Sequence, residues 1–334
     1  MKLNKYIIYF LLVFSLTSYA QQQTLFTNIL INQYLYNPAY AGTFKGKEFN
    51  LGYRQQWTGF DGAPKTFVLS GYSTFKKKPY MAVGGLITND RSGLLQRTSL
   101  HGSYSYHLKI NKNVNLGFGL ALGYVQYNVK IYDAKPYDLD DEFMKNNILN
   151  ANAFDANAGL YLYSKKFFFG FSSQQIANGK IYWNNTIGRL TPHAYAYTGY
   201  NFVIDKKKKE WIIQPSALVR FNNPAPYQLE FNLKTIYKDQ YWIGGSFRLN
   251  STASFLVGVN INHQFGLAYS YDYTLSNLQK YSTGSHEFML SYKIAAKKRK
   301  TASDKVLDAD EEELNTIDNS IKSNLKNKKK DEKK

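Results

Sequence analysis

The sequence predicts an all-β protein: a transmembrane antiparallel outer-membrane β-barrel of about 14 strands, with a short N-terminal segment and a charged C-terminal tail. Three observations lead to this fold class. Apolar and polar residues alternate with a period of two through most of the chain, as in strands with one apolar face. Most alternating runs have about ten residues, enough for a tilted strand to cross a bilayer. Long and short connections also alternate, which places them at opposite ends of a barrel.

The composition excludes several classes of protein. The 334 residues include no Cys, which rules out disulfide scaffolds, thiolate metal sites, cysteine nucleophiles and lipid attachment to a cysteine. An aromatic share of 16% is too high for a disordered chain, and an apolar share of 44% is too low for a bundle of membrane helices. With 29 Tyr and 23 Gly, the composition favours β structure.

Residues 1–20 have the pattern of a secretory signal peptide. Lys2 and Lys5 precede an apolar run over residues 6–16, and small residues follow as far as Ala20. The run is too short to span a bilayer comfortably as a helix. We therefore expect Sec-dependent export with cleavage after Ala20, and a location in the outer membrane of a Gram-negative bacterium.

Residues 21–47 form the predicted N-terminal segment. Its apolar residues recur at helical spacing up to Asn37-Pro38, a pair that ends a helix. The sequence thus predicts a short amphipathic helix that either plugs the barrel lumen or lies at its periplasmic mouth, and the plug is favoured. The apolar positions are Leu25, Phe26, Ile29, Leu30 and Tyr34.

Residues 48–295 contain the predicted barrel. In the run 114–124, for example, large apolar residues at even positions alternate with Asn, Gly and Ala at odd positions. Fourteen strands tilted by about 40° close into a cylinder about 28 Å across, leaving a lumen on the order of 15 Å wide unless something fills it. The strands are predicted near 48–57, 66–74, 81–90, 96–108, 114–129, 155–163, 167–173, 192–204, 210–222, 227–237, 241–249, 253–262, 265–273 and 285–295.

The connections favour a membrane barrel over a soluble sandwich. Every long connection follows an odd-numbered strand, whereas those after even-numbered strands are short and often rich in lysine. Outer-membrane barrels sort their loops in this way, and a Greek-key sandwich has no reason to do so. The long connections are 58–65, 130–154, 174–191 and 274–284, and the lysine-rich turns are 76–78, 165–166 and 206–209.

Two further features concern the predicted wall. Aromatic residues near strand ends are expected to form the girdles at the two membrane interfaces. Pro215 lies in an otherwise clean strand and lacks a ladder N–H, so we expect a bulge or local opening there. Such a site serves either as a lateral gate or only as a tolerated kink, and the tolerated kink is favoured. The girdle residues are Trp57, Trp211, Trp242, Tyr237 and Tyr273.

The alternation directs charged side chains of both signs into the lumen. Mixed signs usually give a salt-bridged, hydrated interior that holds the barrel in shape, and a selective ion path is the alternative. Three of these residues fall on the first and last two strands, which meet at barrel closure, so we predict that they form a charge network that grips the N-terminal segment. The three are Arg54, Asp272 and Glu287, and the others are Arg97, His101, His107, Arg220, Glu230, Lys234 and Arg248.

Residues 296–334 form the predicted periplasmic tail. Its charge is basic, then acidic around 308–313, then basic again. Two interpretations stay open: a docking helix and a solvated, mostly disordered tail. The apolar residues that recur at helical spacing are Leu307, Leu314, Ile317, Ile321 and Leu325.

No motif for catalysis or cofactor binding is visible in the sequence. A Ser-His-Asp arrangement in the right context, a phosphate loop and an HExxH motif are all missing, so we predict a protein that is not an enzyme and needs no cofactor. An acidic loop could ligate calcium, although a solvated loop is favoured. The net charge of +18 comes from turns and the tail without a nucleic-acid-binding motif, so lipid phosphates and acidic partners are expected instead. The acidic residues are Asp138, Asp140, Asp141 and Glu142.

Short motifs near both ends of the chain give it a family resemblance. They read NPAYAG at 37–42, RQQWTG at 54–59, GAPKT at 62–66, YSYD at 269–272 and GSHE at 284–287. As a set they resemble the PorP/SprF family of type IX secretion outer-membrane proteins of Bacteroidota, and the likeness covers about residues 21–294. The family motif positions are Asn37, Pro38, Ala39, Gly42, Gln56, Trp57, Gly59, Pro64 and His286.

The resemblance implies an accessory barrel of the type IX secretion machinery. Members are tied to the secretion or surface anchoring of particular cargo, including gliding-motility adhesins, and to a periplasmic peptidoglycan-associated partner. The charged tail is not part of the family pattern. We predict this accessory role, with outer loops recognising cargo and periplasmic turns docking the machinery. The alternative is a FadL-like or porin-like channel for small solutes.

Overall fold

The structure is a computed structural model that describes residues 31–130, 148–183, 186–204, 210–222, 225–295 and residue 316. The predicted signal peptide, residues 21–30, the acidic residues 138–142, the lysines 206–209 and the tail other than Thr316 lie outside the described residues. Within the described ranges, no helix has the length and apolar character to cross a membrane.

The described residues form seventeen strands, and fourteen strand positions make one closed antiparallel barrel. β1 pairs with β17, and β10 pairs with β12, so the sheet has no open edge. β11 continues β10, while β8 and β9 form a separate hairpin. The strands are β1 Gly46–Gln55, β2 Lys65–Thr74, β3 Met81–Ser92, β4 Leu95–Lys109, β5 Asn115–Lys130, β6 Ile148–Tyr163, β7 Phe167–Gln174, β8 Lys180–Trp183, β9 Thr186–Arg189, β10 His193–Tyr200, β11 Phe202–Val203, β12 Trp211–Asn222, β13 Ala225–Tyr237, β14 Tyr241–Arg248, β15 Thr252–Ile261, β16 Phe265–Thr274 and β17 Ser285–Ala295.

The wall has an apolar outer face and a more polar inner face, which confirms the predicted fold class. In β1, Phe49 and Tyr53 are 45% and 39% exposed, whereas the inward Glu48 and Arg54 are almost fully buried. Hydrocarbon offers no partner to backbone polar groups, so a closed sheet with this outer face belongs in a membrane. Short turns mark the periplasmic end of such barrels and long connections the extracellular end.

The strands differ greatly in length around the barrel. β4, β5 and β6 have 15, 16 and 16 residues, whereas β7 and β10 have 8 each. The wall therefore projects furthest at the extracellular end of β5 and β6. The β8–β9 hairpin lies within the predicted connection 174–191 and packs Ile181 against the inward Val125, Ala151 and Ala153. Its alternation was missed because each strand has only four residues.

Two local predictions were wrong, one at Asn37-Pro38 and one in the aromatic girdle. Residues 33–35 and 38–40 form 3₁₀ turns, and Asn37 begins the second turn by accepting a bond from Ala39 N, so Asn37-Pro38 starts a turn instead of ending a helix.

Pro215 lies at a local opening of the wall, as predicted. Its pairing with Leu233 of β13 keeps the register, so there is no bulge. On the other side the ladder stops at Gly199 with Ser216 and resumes at Phe202 with Ile213, so it is open opposite Pro215. In this opening Asn201 Oδ1 accepts a 2.7 Å bond from Gln214.

The aromatic girdle was predicted wrongly at Trp242. Trp242 is 6% exposed and lies in the lumen, because it shares the inward parity of Arg248 on β14. Trp211 and Tyr273 face outward, with 43% and 42% of their surface exposed. Trp242 was predicted to face the membrane because it is near a strand end. Its place in the alternation of β14, however, puts it on the inward face.

Candidate functional site in the barrel lumen

The N-terminal segment, residues 31–45, lies inside the barrel wall before it enters β1. Tyr34, Leu35, Tyr36, Ala39 and Ala41 of this segment are each no more than 6% exposed. Such an irregular segment has few backbone bonds of its own, and buried backbone groups require partners. The wall supplies them.

Two wall side chains converge on one carbonyl of the segment. Ser105 Oγ and His107 Nε2 both donate to Ala41 O, at 2.5 and 2.7 Å. A carbonyl only accepts, so the His107 proton that makes this bond sits on Nε2. The other ring nitrogen, Nδ1, lies 3.0 Å from Tyr163 OH, which can donate to it. The imidazole is thereby fixed between the wall and the segment.

Further wall residues bind the segment along its length. Ser172 Oγ donates to Tyr36 O at 2.7 Å, and Gln174 Nε2 donates to Leu35 O at 2.9 Å. Tyr34 OH and Ser103 Oγ are 2.6 Å apart. Because most of these bonds go to main-chain carbonyls, they fix the path of the segment more than they select its side chains.

Asn37 joins the segment to the wall in both directions. Its Oδ1 accepts from Ala39 N at 2.9 Å, which caps the second turn, and its Nδ2 donates to Leu160 O of β6 at 2.8 Å. Asn37 is fully buried.

Tyr34 of the segment is also buried. Burial raises the pKa of its phenol to about 12, although its bond with Ser103 opposes this shift.

Inward glycines make room for the segment. A Cβ on Gly119 would collide with the backbone of Pro38 and Ala39, and one on Gly159 would collide with the Asn37 amide. A Cβ on Gly84 would meet Tyr34 OH. These three glycines lie on β5, β6 and β3, so one side of the wall is shaped to admit the main chain.

An apolar layer joins the segment to the other walls of the lumen. Leu35, Tyr36 and Ala39 belong to one cluster with inward residues of β2, β6, β7, β10, β12 and β14 to β17. Since hydrophobic contact excludes water, this layer obstructs the middle of the lumen. Its wall members are Val68, Tyr161, Phe168, Tyr195, Tyr197, Leu218, Trp242, Leu256, Ala268 and Met289.

The seam cluster, Arg54 with Asp272 and Glu287, lies near the extracellular ends of β1, β16 and β17. Arg54 Nη2 is 2.6 Å from Asp272 Oδ2, and Nη1 is 2.9 Å from Glu287 Oε2. All three side chains are almost fully buried. One guanidinium thus bridges two carboxylates across the closing strands, the kind of pairing that a buried charge requires.

Other predicted lumen residues pair elsewhere around the wall. Arg248 donates to Glu230 Oε2 through Nε and Nη2, at 2.9 and 2.7 Å. His101 Nε2 is 2.9 Å from Asp155 Oδ2. Lys234 Nζ lies 4.5 Å from the centre of the Trp242 ring, which belongs to the apolar layer. The remaining two, Arg97 and Arg220, lie 5.9 Å from the ring centres of Tyr127 and Tyr195.

A cavity of about 70 Å³ lies between the segment and these charges. Leu35 and Tyr36 contribute to its lining, together with Arg97, His101 and Asp155. Among the described residues, no group of three or more His, Asp or Glu side chains is arranged to hold a metal ion.

The motif residues occupy two regions. Asn37, Pro38, Ala39 and Gly42 belong to the buried segment, where Gly42 has a φ of +95° and a Cβ would contact Ala82 and His107. The others line the seam at the extracellular end, where Gln56 N donates to Pro64 O and Trp57 N donates to Ser285 Oγ. Gly59 has a φ of +99° in the same loop, and His286 Nδ1 is 2.8 Å from Tyr269 OH.

Sequence reasoning missed the residues that hold the segment, chiefly Ser105, Ser172, Gln174 and the three glycines. Serine and glycine at inward positions look like ordinary small lumen residues. The only available signal was the run of glycines at 117, 119 and 123 on one face of β5, which leaves that face unusually empty.

The sequence model of the family described as the type IX secretion system membrane protein PorP/SprF matches residues 18–292. The chain belongs to the PorP/SprF family. It is thus an integral outer-membrane barrel associated with the type IX secretion machinery. No curated protein matches the sequence.

Solved structures resemble this PorP/SprF member only in overall shape. The CymD monoaromatic hydrocarbon channel has 10% identity and a TM-score of 0.49, with 79% of this chain and 92% of that chain covered. Omp33 of Acinetobacter baumannii has 10% identity and a TM-score of 0.45, with 76% and 100% covered. The Pseudomonas putida toluene transporter TodX has 8% identity and a TM-score of 0.44, with 79% and 93% covered. Likeness at this level carries no inference about function.

Proposed function

We propose that this chain is a non-conducting accessory barrel that supports the secretion or surface anchoring of particular type IX cargo, adhesins among them. The observation that carries the proposal is the occupied lumen. The N-terminal segment is bonded to the wall through Ser105, His107, Ser172 and Gln174, and an apolar layer connects it to the opposite strands. A barrel filled in this way offers its ends and its outer surface, not its interior, to partners.

The extracellular end is the proposed place of cargo recognition. The connection 131–147 and the segment around the β8–β9 hairpin are the longest at that end. The hairpin is anchored, because Ile181 and Leu190 are buried against β5 and β6. An anchored hairpin on a projecting wall gives a partner a fixed surface, and binding to fixed surfaces costs less ordering entropy.

The periplasmic end is the proposed place of docking to the machinery, including a peptidoglycan-associated protein. Lys76, Lys77 and Lys78 are exposed in the first short turn, and the tail leaves β17 at the same end. Exposed cations at this end favour acidic partners or the phosphates of the inner leaflet.

Gene deletion tests the accessory role. We expect cells that lack the chain to retain particular type IX cargo in the periplasm or to shed it into the medium, while other secreted proteins are unaffected. Affinity purification from detergent-solubilised outer membranes should recover type IX components. Normal surface display of all cargo in the deletion strain would contradict the proposal.

A second candidate, a diffusion channel for small solutes, has one feature in its favour, the cavity of about 70 Å³ in the lumen. Planar bilayers distinguish the two. The accessory barrel should be electrically silent, whereas steady conductance together with impaired solute uptake in the deletion strain would establish the channel.

A further inference from the structure

The outward face of β2 to β6 changes character abruptly near the extracellular end. Ile87, Leu100, Tyr124 and Phe154 stand directly opposite one another on β3 to β6 and form one row across four strands. Between 39% and 57% of each side chain is exposed. We call this set the apolar row. Its composition is that of a surface in contact with acyl chains.

The next two outward rows are polar on β3 to β6. On β2 the first row ends at Phe67, which is exposed and apolar, and the second includes Lys65. Apart from Phe67 the rows consist of amides, one hydroxyl and cations, and no described member is a carboxylate. The first polar row is Asn89, Thr98, Gln126 and Asn152, and the second is Lys65, Arg91, Gln96, Asn128 and Asn150.

The inner face changes in the opposite sense only on β5 and β6, where Val125, Ala151 and Ala153 pack against Ile181. On β2 to β4 the inward side stays polar at this level, with Thr66, Asp90 and Arg97. Within the membrane the outward residues of a barrel are apolar, so the outward change from apolar to polar places the hydrocarbon boundary at the apolar row. The polar rows therefore lie at the level of the outer-leaflet headgroups.

The height of the polar rows limits which headgroup they fit. The second polar row is four residues beyond the apolar row, about 13 Å along the strand and about 10 Å along the membrane normal at a tilt near 40°. The headgroup region of a phospholipid leaflet is only about 5–8 Å thick. A taller, sugar-bearing headgroup reaches both rows.

The chemistry of the rows points the same way. Amide side chains donate and accept hydrogen bonds, which suits the hydroxyl groups of sugars. Lys65 and Arg91 stand opposite each other on β2 and β3, and both are exposed. Two adjacent cations suit a phosphate group.

We propose that the outward face of β2 to β6 binds a phosphorylated glycolipid of the lipid A class, with its acyl chains on the apolar row and its phosphorylated sugars on the polar rows. The opposite side of the barrel lacks this arrangement. There Tyr227, Phe247, Leu249 and Tyr273 carry exposed apolar surface up to the strand ends. The site is therefore confined to one side, and it is independent of any role in secretion.

The test uses the full-length protein in detergent, with bound lipids measured by native mass spectrometry. Lipid A, its dephosphorylated form and phosphatidylglycerol are the probes. The test variant is Lys65→Gln with Arg91→Gln. The control is Lys280→Gln with Arg189→Gln, which removes two exposed cations from other parts of the extracellular end.

We expect wild type and control to retain equal amounts of lipid A. The test variant should retain at most about one tenth of that amount, because charge-assisted bonds to phosphate are lost. Dephosphorylated lipid A should bind wild type and test variant alike. Equal loss in control and test variant, or equal retention of phosphatidylglycerol and lipid A by wild type, would overturn the proposal.

Discussion

In the periplasmic half of the lumen the wall binds the main chain of the N-terminal segment, whereas near the extracellular end the wall binds itself. Ser105 and His107 give their hydrogen bonds to Ala41 O, while Arg54 bridges Asp272 and Glu287. The first arrangement depends on space for a backbone, and the second on balanced charge. The two regions should therefore fail in different ways when they are altered.

The largest effect is expected from filling the space of the segment. Gly119→Leu would place a side chain where Pro38 and Ala39 now lie, so the segment must leave its position. Overpacking alone costs about 1–3 kcal/mol, and every bond of the displaced segment is lost as well. We therefore expect this variant to conduct in planar bilayers, whereas the wild type should not.

Gly102→Leu is the matched control for this variant. Gly102 is exposed and faces away from the lumen, and nothing lies within 4 Å of an added Cβ. It should stay silent and equally stable. Silence of both variants would show that Gly119 does not determine where the segment lies.

The seam cluster should respond in stability more than in conductance. Arg54→Ala leaves two buried carboxylates without their cation, and breaking such a pair costs about 3–5 kcal/mol. We expect a lower midpoint in heat or urea unfolding in detergent. Lys238→Ala, which removes an exposed pair with Glu210, should leave the midpoint unchanged.

If Arg54→Ala opened the lumen without lowering stability, the distinction between the two regions would be wrong. The same outcome would favour a role for Arg54 in holding the segment directly.

A smaller effect is expected from Asn37→Ala. The change removes the cap on Ala39 N and the bond to Leu160 O from a fully buried site, a loss of about 1–3 kcal/mol. Brief channel openings and faster proteolysis near residue 37 should follow. Asn152→Ala, on the exposed face of β6, serves as the control, and openings in both variants would contradict this role of Asn37.

The smallest effect is expected from Tyr34→Phe, which removes the hydrogen bond to Ser103 and costs about 0.5–1.5 kcal/mol. Because burial raises the pKa of Tyr34 to about 12, its contribution is complete below pH 10 and is lost as the pH rises through 12. The wild type should therefore lose more stability than the variant between pH 10 and 12 in unfolding experiments. Parallel pH profiles would refute this assignment.

Much of the wall could be read from the sequence because a strand has a fixed period. The alternation alone directed Arg54, Glu230 and Arg248 inward, and barrel closure brought Arg54 towards Asp272 and Glu287. Strand ends were less certain: β6 begins at Ile148, ahead of the predicted 155, because alternation weakens where Asn and Ala fill both faces.

The path of the N-terminal segment could not be read in the same way. It has no period, and its position depends on which distant residues leave room, such as Gly119 and Gly159. Asn37 likewise binds carbonyls of β6 and β7, more than 120 positions further along the chain. Only tertiary structure reveals such partners.

The contacts of the N-terminal segment also bear on the order of barrel assembly. Asn32 and Ser70 are 38 positions apart, and Tyr34 and Ser103 are 69 apart, whereas Arg54 and Glu287 are separated by 233. Short separations cost less chain entropy to close. The segment can therefore settle against β2 to β4 while later strands are still joining, and its bonds to β6 and β7 can follow as those strands are added.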